Sequence, residues 1–314
     1  MAVYRIGDVI RMKREALGIT RAKLCELSGD ACSVQTLYRI ECGKVKVKRE
    51  VYKTLMRCMN QLPERNYASI VVNNQASLNL KSEIQTHMFY KEYELAEQKL
   101  LKLEKDMIPN YIRNKQYLLE RKATLQFQKK EITTEEYVEK LWEALRYTIP
   151  NVDNIKLEDW PYNEEEFEIL VQLVHAYRDK KDKKEELLLK LKKNVERHYM
   201  EEKYYISWHT WILNTLSGLM CSTKRYEDSL NYCKQGIEEL KRQRLISHEH
   251  GFLYDMVWSI ERQIQQGICL EKERETCKKF LMQAYYLSIA QKESVYSERI
   301  KRLWERYYSG ETIL

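Results

Sequence analysis

Glycine and proline are scarce in this chain of 314 residues, which has nine of the first and four of the second. Both residue types interrupt helices and shape tight turns, so their scarcity leaves few of the reversals that β-hairpins need. Leu, Lys and Glu recur at helical spacing almost throughout, and 44% of the residues are hydrophobic. These features predict a nearly all-α protein that is long enough for two or more domains.

Long apolar runs are also missing. The opening MAVYRIGDVIRMKRE has no apolar stretch of signal-peptide length, and no later segment offers eighteen uncharged apolar residues. A membrane-spanning helix needs about 20 such residues. We therefore expect a soluble, cytoplasmic protein that has no membrane partner.

Motifs for metal binding or catalysis are absent as well. The eight cysteines include no Cys-x-x-Cys pair, and the six histidines show no repeated ligand spacing. We therefore expect reduced, buried thiols, and neither a metal nor a cofactor. No Gly-x-Ser-x-Gly motif, phosphate-binding glycine loop or His-Glu-x-x-His motif occurs. These absences give no support to an enzyme.

Positive charge is concentrated in one part of the chain. Residues 1–60 contain thirteen Lys or Arg and six Asp or Glu, whereas the other 254 residues contain 41 of each sign. The whole net charge of +7 therefore lies in one fifth of the sequence. Localised positive charge is typical of a module that binds a polyanion, although a solvated basic face would have the same composition.

The first sixty residues divide into short helices with recognisable ends. A first helix ends at Gly18, and a second helix, capped by Thr20, ends at Gly29. The segment SVQTLYRIECGK at 33–44 predicts a third helix, which Ser33 caps and Gly43 ends. Apolar residues between 51 and 59 predict a further helix.

The third predicted helix offers a narrow apolar stripe, Leu37 and Ile40, and a broad polar side. Such a helix suits a DNA major groove, where glutamine pairs with adenine and arginine with guanine. We therefore predict base contacts from Gln35 and Arg39, and phosphate contacts from neighbouring polar and basic residues. The predicted DNA-binding residues are Arg21, Ser33, Val34, Gln35, Thr36, Tyr38, Arg39, Lys44, Lys46 and Lys48.

The segments GITRAKLCELSG and SVQTLYRIECGK together resemble the helix-turn-helix of the XRE, or phage-repressor, type. The resemblance covers about residues 5–60 and implies a five-helix DNA-binding domain at 1–62. The turn GDACS is longer than in the simplest repressors, and Arg21 and Val34 replace glutamines that are common in the family. A valine at position 34 would pack on a thymine methyl group or leave one base contact unmade.

A linker and a series of repeats follow. Pro63 and the Asn73-Asn74 pair interrupt the helical pattern, which predicts a linker over 63–82, although a helix can form in part of it. Amphipathic segments then pair at roughly 83–106, 112–148, 163–198, 203–242 and 250–308. This spacing is near the roughly 34 to 40 residues of helical-hairpin repeats, so we predict a repeat domain at 83–314.

The segment at 211–240, WILNTLSGLMCSTKRYEDSLNYCKQGIEEL, resembles a tetratricopeptide repeat. The resemblance implies a right-handed superhelix whose concave face is lined by the first helix of each pair. A carboxamide on that face can both donate to and accept from a peptide main chain. The predicted peptide-binding residues are Val171, His175, Arg178, Trp211, Asn214, Gly218 and Ser222. A core role for Trp211 and a solvated Asn214 fit the same pattern.

An XRE-type domain followed by tetratricopeptide-like repeats resembles the RRNPP group of bacterial regulators, of the PlcR and Rgg type. The resemblance implies a homodimeric transcription regulator that binds double-stranded DNA and responds to a short intracellular signalling peptide, as in quorum sensing. Two alternatives stay open at this point. The chain is an interaction scaffold with a vestigial DNA-binding domain, or it is a regulator whose repeats only dimerise.

Overall fold

The computed structural model describes residues 4–59, 75–108, 111–149, 151–197, 200–243, 245–246 and 248–308. In these ranges the regular structure is helical and no β-strand occurs, so the prediction of an all-α chain is confirmed. The α-helices there are α1 (Ile6–Ala16), α2 (Arg21–Leu27), α3 (Val34–Glu41), α4 (Arg49–Cys58), α5 (Gln75–Phe89), α6 (Tyr93–Asp106), α7 (Ile112–Gln128), α8 (Thr134–Arg146), α9 (Glu164–Ala176), α10 (Lys181–Arg197), α11 (Glu202–Ser222), α12 (Tyr226–Arg242), α13 (Glu249–Gln265), α14 (Arg274–Ala290) and α15 (Ser294–Tyr307).

The chain divides into two compact units. The first reaches to Lys180 and also takes in Met200 and Glu201, so it contains α1–α9. The second contains α10–α15. This division falls inside the region 83–314 that the sequence predicts as one repeat domain, and the domain boundaries near 62 and 83 stay predictions.

Helices α1–α4 form the head of the first unit, which we define as residues 4–59. The buried core of the head consists of Ile10, Leu24, Cys25, Leu37, Ile40, Tyr52, Leu55, Met56 and Met59. The predicted caps are confirmed, because the hydroxyls of Thr20 and Ser33 each accept a hydrogen bond at 3.1 Å from the backbone N–H three residues later. Four helices lie within residues 4–59, and the rest of the predicted five-helix domain falls outside the described residues.

Gly7 makes the closest contact between helices of the head. A Cβ atom on this residue of α1 would lie 2.1 Å from the backbone carbonyl oxygen of Ile40 in α3. A backbone atom inside a packed helix cannot move aside, so only glycine permits this approach. The position of α3 against α1 therefore depends on the absence of a side chain at position 7.

Helix α5 begins at Gln75, inside the segment 63–82 that the sequence predicts as a linker in which a helix can form in part, and the linker itself stays a prediction. Tertiary contacts explain the helix. The hydroxyl of buried Ser77 donates to Asp106 Oδ2 of α6 at 2.6 Å, and Ile84 packs in a core with Leu100. These long-range contacts stabilise a helix whose own sequence has a weak amphipathic pattern.

The second unit is a series of helices in which each packs on the next, while α11, α13 and α15 also contact one another in turn. The repeat predicted at 211–240 corresponds to α11 and α12, and the last predicted pair, at 250–308, contains three helices. Ser229, Cys233 and Gly236 are buried, as expected for positions of close approach. A Cβ on Gly236 would lie 2.1 Å from Cζ of Phe252 in α13.

Candidate nucleic-acid and peptide interfaces

The third helix of the head has one packed side and one open side. Leu37 and Ile40 are buried in the core, and Gly43, with φ of +70°, ends the helix. The opposite side exposes four predicted DNA-binding residues, which we call the reading face: Val34, Gln35, Tyr38 and Arg39. Val34 and Tyr38 are each 45% exposed, although both are large and apolar or aromatic. The reading face therefore exposes apolar and aromatic surface to solvent as well as polar groups.

A buried carboxylate fixes α3 to the two helices before it. Both oxygens of Glu41, whose side chain is fully buried, accept from Arg14 of α1, at 2.7 and 3.0 Å. Arg21 of α2 also donates to Glu41, at 2.6 Å, and its guanidinium lies 5.2 Å from the ring centre of Tyr38. A paired and hydrogen-bonded carboxylate tolerates burial, and removal of one partner is strongly destabilising.

This geometry bears on the phosphate contacts that the sequence predicts. The guanidinium of Arg21 is engaged with Glu41, and its side chain is 35% exposed, so only part of its donor set faces solvent. Ser33 is exposed and Thr36 is half-buried, and their hydroxyls lie 2.9 Å apart. Three predicted residues after α3 are also exposed, namely Lys44, Lys46 and Lys48.

Another side of the head packs within the first unit. Helix α1 contacts the 3-10 turn at Leu157–Asp159, and the ammonium of Lys13 lies 4.9 Å from the ring centre of Trp160. Burial lowers the pKa of Lys13 to about 8, although the carboxylate of Glu166 acts in the opposite direction. The contact is made by α1, and it leaves the reading face on α3 exposed.

Three predicted peptide-binding residues lie in the first unit, on α9 and just beyond its C-terminal end. Val171 is half-buried, whereas His175 and Arg178 are exposed. Next to Val171, Gln172 belongs to a polar network, in which the hydroxyl of Tyr137 donates to its Oε1 at 2.6 Å. The polar groups next to Val171 are therefore engaged with one another inside the first unit.

The other four predicted residues lie on α11 in the second unit. Trp211, Asn214 and Gly218 are half-buried, and Ser222 is exposed. Oδ1 of Asn214 accepts from the hydroxyl of Tyr296 at 3.4 Å, while its buried Nδ2 has no hydrogen-bond partner among the described residues. An unpaired buried donor costs free energy, so this amide is suited to a ligand that can accept from it.

Asn214 is part of a polar seam between α11, α13 and α15, in which four residues are buried and three are half-buried. The seam consists of Asn214, Ser217, Cys221, His250, Asp255, Ser259 and Tyr296. The hydroxyl of Ser217 donates to Oδ2 of Asp255 at 2.6 Å. Cys221 Sγ lies 3.3 Å from the hydroxyl of Ser259. The three helices therefore meet through polar contacts where neighbouring positions are filled by apolar side chains.

Burial shifts the pKa values of several groups in the seam, and it raises those of Cys221 and Tyr296 to about 12. Desolvation raises the pKa of Asp255 to about 7, although the hydrogen bond from Ser217 and the charge of Arg299 act against this rise. Burial also lowers the pKa of His250, whose ring lies 4.6 Å from that of Tyr296. Nδ1 of His250 has no partner in the described part of the chain. The seam thus holds a second unsatisfied polar atom.

Sequence reasoning missed the members of the seam outside α11. Asp255 lies within the apolar run GFLYDMVW, and an acidic residue at such a position is seldom buried without a partner or a role. His250 and Tyr296 are separated from Asn214 by 36 and 82 residues, so only the tertiary structure brings them together. The acidic residue inside the apolar run was the one signal available.

The described residues include neither a metal-binding cluster nor a membrane-spanning helix. There, no group of three or more His, Cys, Asp or Glu side chains is placed to hold a metal ion. No helix in that part of the chain is long and apolar enough to cross a bilayer. The expectation of buried thiols is correct for Cys25, Cys233 and Cys277 and wrong for Cys42, which is exposed.

The fold is similar to that of solved PlcR structures, whereas no protein-family model and no curated protein sequence matches the chain. PlcR from Bacillus thuringiensis, in complex with the peptide PapR7 and DNA, is 17% identical, with 94% of this chain and 98% of PlcR covered and a TM-score of 0.56. The apo form of PlcR is 14% identical over 93% and 98% of the two chains, with a TM-score of 0.56. The resemblance to this group is therefore confirmed at the level of the fold.

Proposed function

We propose that this chain is a sequence-specific DNA-binding regulator of transcription whose repeats bind a short signalling peptide. The observation that carries the proposal is the reading face. Gln35 and Arg39 stand exposed on α3, and no carboxylate lies within 4.0 Å of the Arg39 guanidinium among the described residues. A helix of this kind on a basic head is suited to read base edges in the major groove.

The surroundings of the reading face support DNA as the partner. Lys44, Lys46 and Lys48 follow α3 at alternate positions, and all three are exposed. Lysines placed beside a recognition helix neutralise phosphates and add affinity that does not depend on sequence. PlcR, which shares the fold, was crystallised with DNA and with PapR7.

The seam in the second unit supports a peptide as the regulator. Nδ2 of Asn214 and Nδ1 of His250 are buried without partners in the described part of the chain. A peptide main chain offers carbonyl oxygens and N–H groups at regular spacing, so it can satisfy both atoms. An apolar ligand would leave both atoms unsatisfied.

Regulation then follows from differential affinity. We propose a homodimer, because helix-turn-helix heads bind two half-sites about one helical turn apart, roughly 34 Å. A peptide that binds one arrangement of the two heads more tightly than another shifts the population between them. The change in free energy of operator binding cannot exceed the difference between the free energies with which the peptide binds the two arrangements.

The DNA-binding part is tested with a site selected from randomised duplexes by the full chain. Arg39→Ala is expected to weaken binding to the selected site by about 1–3 kcal/mol and binding to random duplex much less, since it removes a base contact. Lys46→Ala, the matched variant, should weaken both by a similar factor and reduce the salt slope by about one. Fluorescence anisotropy at two salt concentrations measures the affinity of each variant, and of the unaltered chain, for the selected site and for random duplex. Equal losses on both duplexes for Arg39→Ala would remove this residue from base reading.

The peptide part is tested by thermal unfolding with peptides that the full chain retains from a randomised mixture. A ligand of the native state raises the unfolding midpoint, and Asn214→Ala should abolish most of that rise while DNA affinity is kept. Thr215→Ala is the control, since the Thr215 hydroxyl donates to the Trp211 carbonyl oxygen of its own helix. An unchanged midpoint shift in Asn214→Ala refutes the role of the seam.

A further inference from the structure

Helices α13 and α15 carry arginine and aromatic side chains in mutual contact. We call this group the arginine surface, and it consists of Tyr254, Trp258, Arg262, Tyr296, Arg299 and Arg306. The guanidinium carbons of Arg262 and Arg306 lie 5.0 and 5.7 Å from the ring centre of Trp258. Two cations from different helices therefore share one indole ring.

The arginine surface continues into the polar seam. The guanidinium of Arg299 lies 5.5 Å from the ring centre of Tyr296, whose hydroxyl donates to Asn214. Tyr254 links the two clusters, with its ring centre 6.4 Å from that of Tyr296 and 6.3 Å from that of Trp258. Along α13, residues 254 to 262 rise by about 12 Å, which is the length of three or four residues of extended peptide.

The arginines of this surface are Arg262, Arg299 and Arg306. None of them has a carboxylate oxygen within 4.0 Å of its guanidinium group among the described residues. Other arginines of the same unit are paired, since Arg225 contacts Glu185 and Asp228 and Arg274 contacts Glu261. Stacking on aromatic rings fixes the plane of a guanidinium and leaves its edge N–H donors available. Among the described residues the three guanidinium groups are therefore oriented by aromatic rings and have no carboxylate in contact, while Nη1 of Arg262 donates to Oε1 of Gln265 at 3.0 Å.

A cavity of about 410 Å³ adjoins Trp258 and Arg262, at the turn between α11 and α12. Its other polar lining groups include Ser222, Lys224 and Gln265, and no Asp or Glu lines it within the described residues. Lys224 supplies a further cation without an ion-pair partner in that part of the chain. The cavity is thus large enough for an amino-acid residue and is lined by donors and positive charge.

We propose that the arginine surface and this cavity bind a carboxylate of the signalling peptide, which places the peptide in the acidic class. The inference rests on the proposed peptide response and adds the chemistry of the ligand. Asn214 and His250 hold the main chain, and Arg262 with Arg306 holds the carboxylate at the other end of the Tyr254–Trp258 aromatic stretch. The carboxylate belongs to the peptide's C-terminus or to an Asp or Glu side chain.

The charges around the arginine surface favour one or two carboxylates over a nucleic acid. Glu298 and Glu305 of α15 are exposed and stand directly before Arg299 and Arg306 in the sequence. The buried carboxyl of Asp255 lies close enough to Arg299 to have its pKa affected by that arginine. A phosphodiester chain carries a charge on every nucleotide and would meet these carboxylates, whereas a single carboxylate can avoid them.

The test measures which peptides the full chain retains from three randomised heptapeptide mixtures. The first has free C-termini, the second has amidated C-termini, and the third has amidated C-termini and lacks Asp and Glu. We expect retention from the first, retention of only Asp- or Glu-containing peptides from the second, and background from the third. The first two mixtures distinguish a terminal carboxylate from a side-chain carboxylate.

Variants assign the effect to particular residues. Arg262→Gln and Arg306→Gln should each lower retention about tenfold or more, the loss expected for a charge-assisted hydrogen bond. Arg302→Gln is the control, because it removes the same charge from an exposed position of α15 that contacts no ring in the described structure. Hydrogen exchange in α11–α15, compared with that of the unaltered chain, reports that the second unit of each variant is folded.

The possible failures can be told apart. Equal retention from the third mixture, or equal losses in Arg302→Gln and Arg306→Gln, overturns the carboxylate inference and leaves peptide binding intact. Background retention from all three mixtures overturns the peptide response as well. Retention of a single-stranded RNA oligonucleotide that depends on Arg306, in place of any peptide, assigns the arginine surface to nucleic acid and overturns the inference.

Discussion

The head and the second unit both carry polar residues on helices, but they expose them differently. In the head the core is apolar and the reading face is solvated, with Gln35 and Arg39 free to meet a ligand. In the second unit Asp255 and Ser217 are buried, and Nδ2 of Asn214 has no partner among the described residues. Water hydrates the first set and is largely excluded from the second.

The difference in solvation separates the kinds of ligand that the two regions suit. An exposed cationic face gains affinity by releasing counterions from a polyanion, and the partner can stay hydrated. A buried seam gains affinity when a ligand satisfies atoms that the fold leaves unpaired. The head therefore suits duplex DNA, and the seam suits a small ligand that brings its own hydrogen-bonding groups.

The largest effect is expected from one methyl group added in the head. Gly7→Ala places a Cβ 2.1 Å from the Ile40 carbonyl oxygen, so α1 and α3 must separate. We expect a loss of about 3 kcal/mol or more in the stability of the head and a loss of DNA binding. Hydrogen exchange should rise in residues 4–59 and stay unchanged in α11–α15.

Gly18→Ala is the matched control for Gly7→Ala. It adds the same methyl group where no atom lies within 4 Å, at a residue with φ of +66°. The left-handed backbone makes the expected loss about 1 kcal/mol, and DNA binding should persist. A smaller effect for Gly7→Ala than for Gly18→Ala would contradict the packing of α1 on α3.

Gly236→Ala, a glycine-to-alanine substitution in the second unit, should raise hydrogen exchange there and leave the head unchanged. In Gly236→Ala the new Cβ lies 2.1 Å from Cζ of Phe252, and this ring is fully buried. A ring can shift further than a helix backbone, so we expect a smaller loss of about 2 kcal/mol. Hydrogen exchange should rise in α12 and α13, while affinity for duplex DNA is kept. Loss of DNA binding in this variant would show that the two regions do not act separately.

The smallest expected effect sharpens the account of the seam. The pKa of Asp255 is about 7 in the folded chain against an ordinary value of 3.8, so the folded state binds this proton more tightly than the unfolded state. Its stabilising contribution is complete below pH 3.8 and is lost as the pH rises towards 7. Asp255→Asn removes this dependence.

Urea unfolding at pH 5 and pH 8 measures the effect. We expect Asp255→Asn to gain stability relative to the unaltered chain between the two pH values, on the order of 1 kcal/mol, because only the unaltered chain loses the proton of a buried carboxyl group in that range. Ser217→Ala is a useful companion, since it removes the hydroxyl that donates to Asp255. A difference between Asp255→Asn and the unaltered chain that does not vary with pH would contradict a raised pKa.

Much of the fold was predictable because its signals are local. The caps Thr20 and Ser33 and the glycine at the end of α3 identify helix ends within a few residues of sequence. The pairs of helices between residues 112 and 242 also follow from their hydrophobic periodicity, whereas the last predicted pair contains three helices. The start of α5 was missed, because contacts such as that of Ser77 with Asp106 lie 29 residues apart.

The candidate sites also differ in whether local sequence signals could predict them. Gln35 and Arg39 were predictable as exposed residues, since a helix with one apolar stripe must turn its other side to solvent. The seam and the arginine surface were not, because Asn214, Asp255 and Arg306 come from three helices. Periodicity shows that each helix has a buried side, but it does not show which polar groups of different helices meet there.

The sequence by itself determined an all-α chain, the helix ends in the head and the concentration of positive charge there, because caps, periodicity and composition act over short distances. Only the tertiary structure decided that Lys13 packs on Trp160, that Gly7 lets α3 approach α1, and that Asp255 is buried beside Ser217. These contacts join residues far apart in the chain, and their free energies depend on desolvation and close packing, which arise once the helices have assembled.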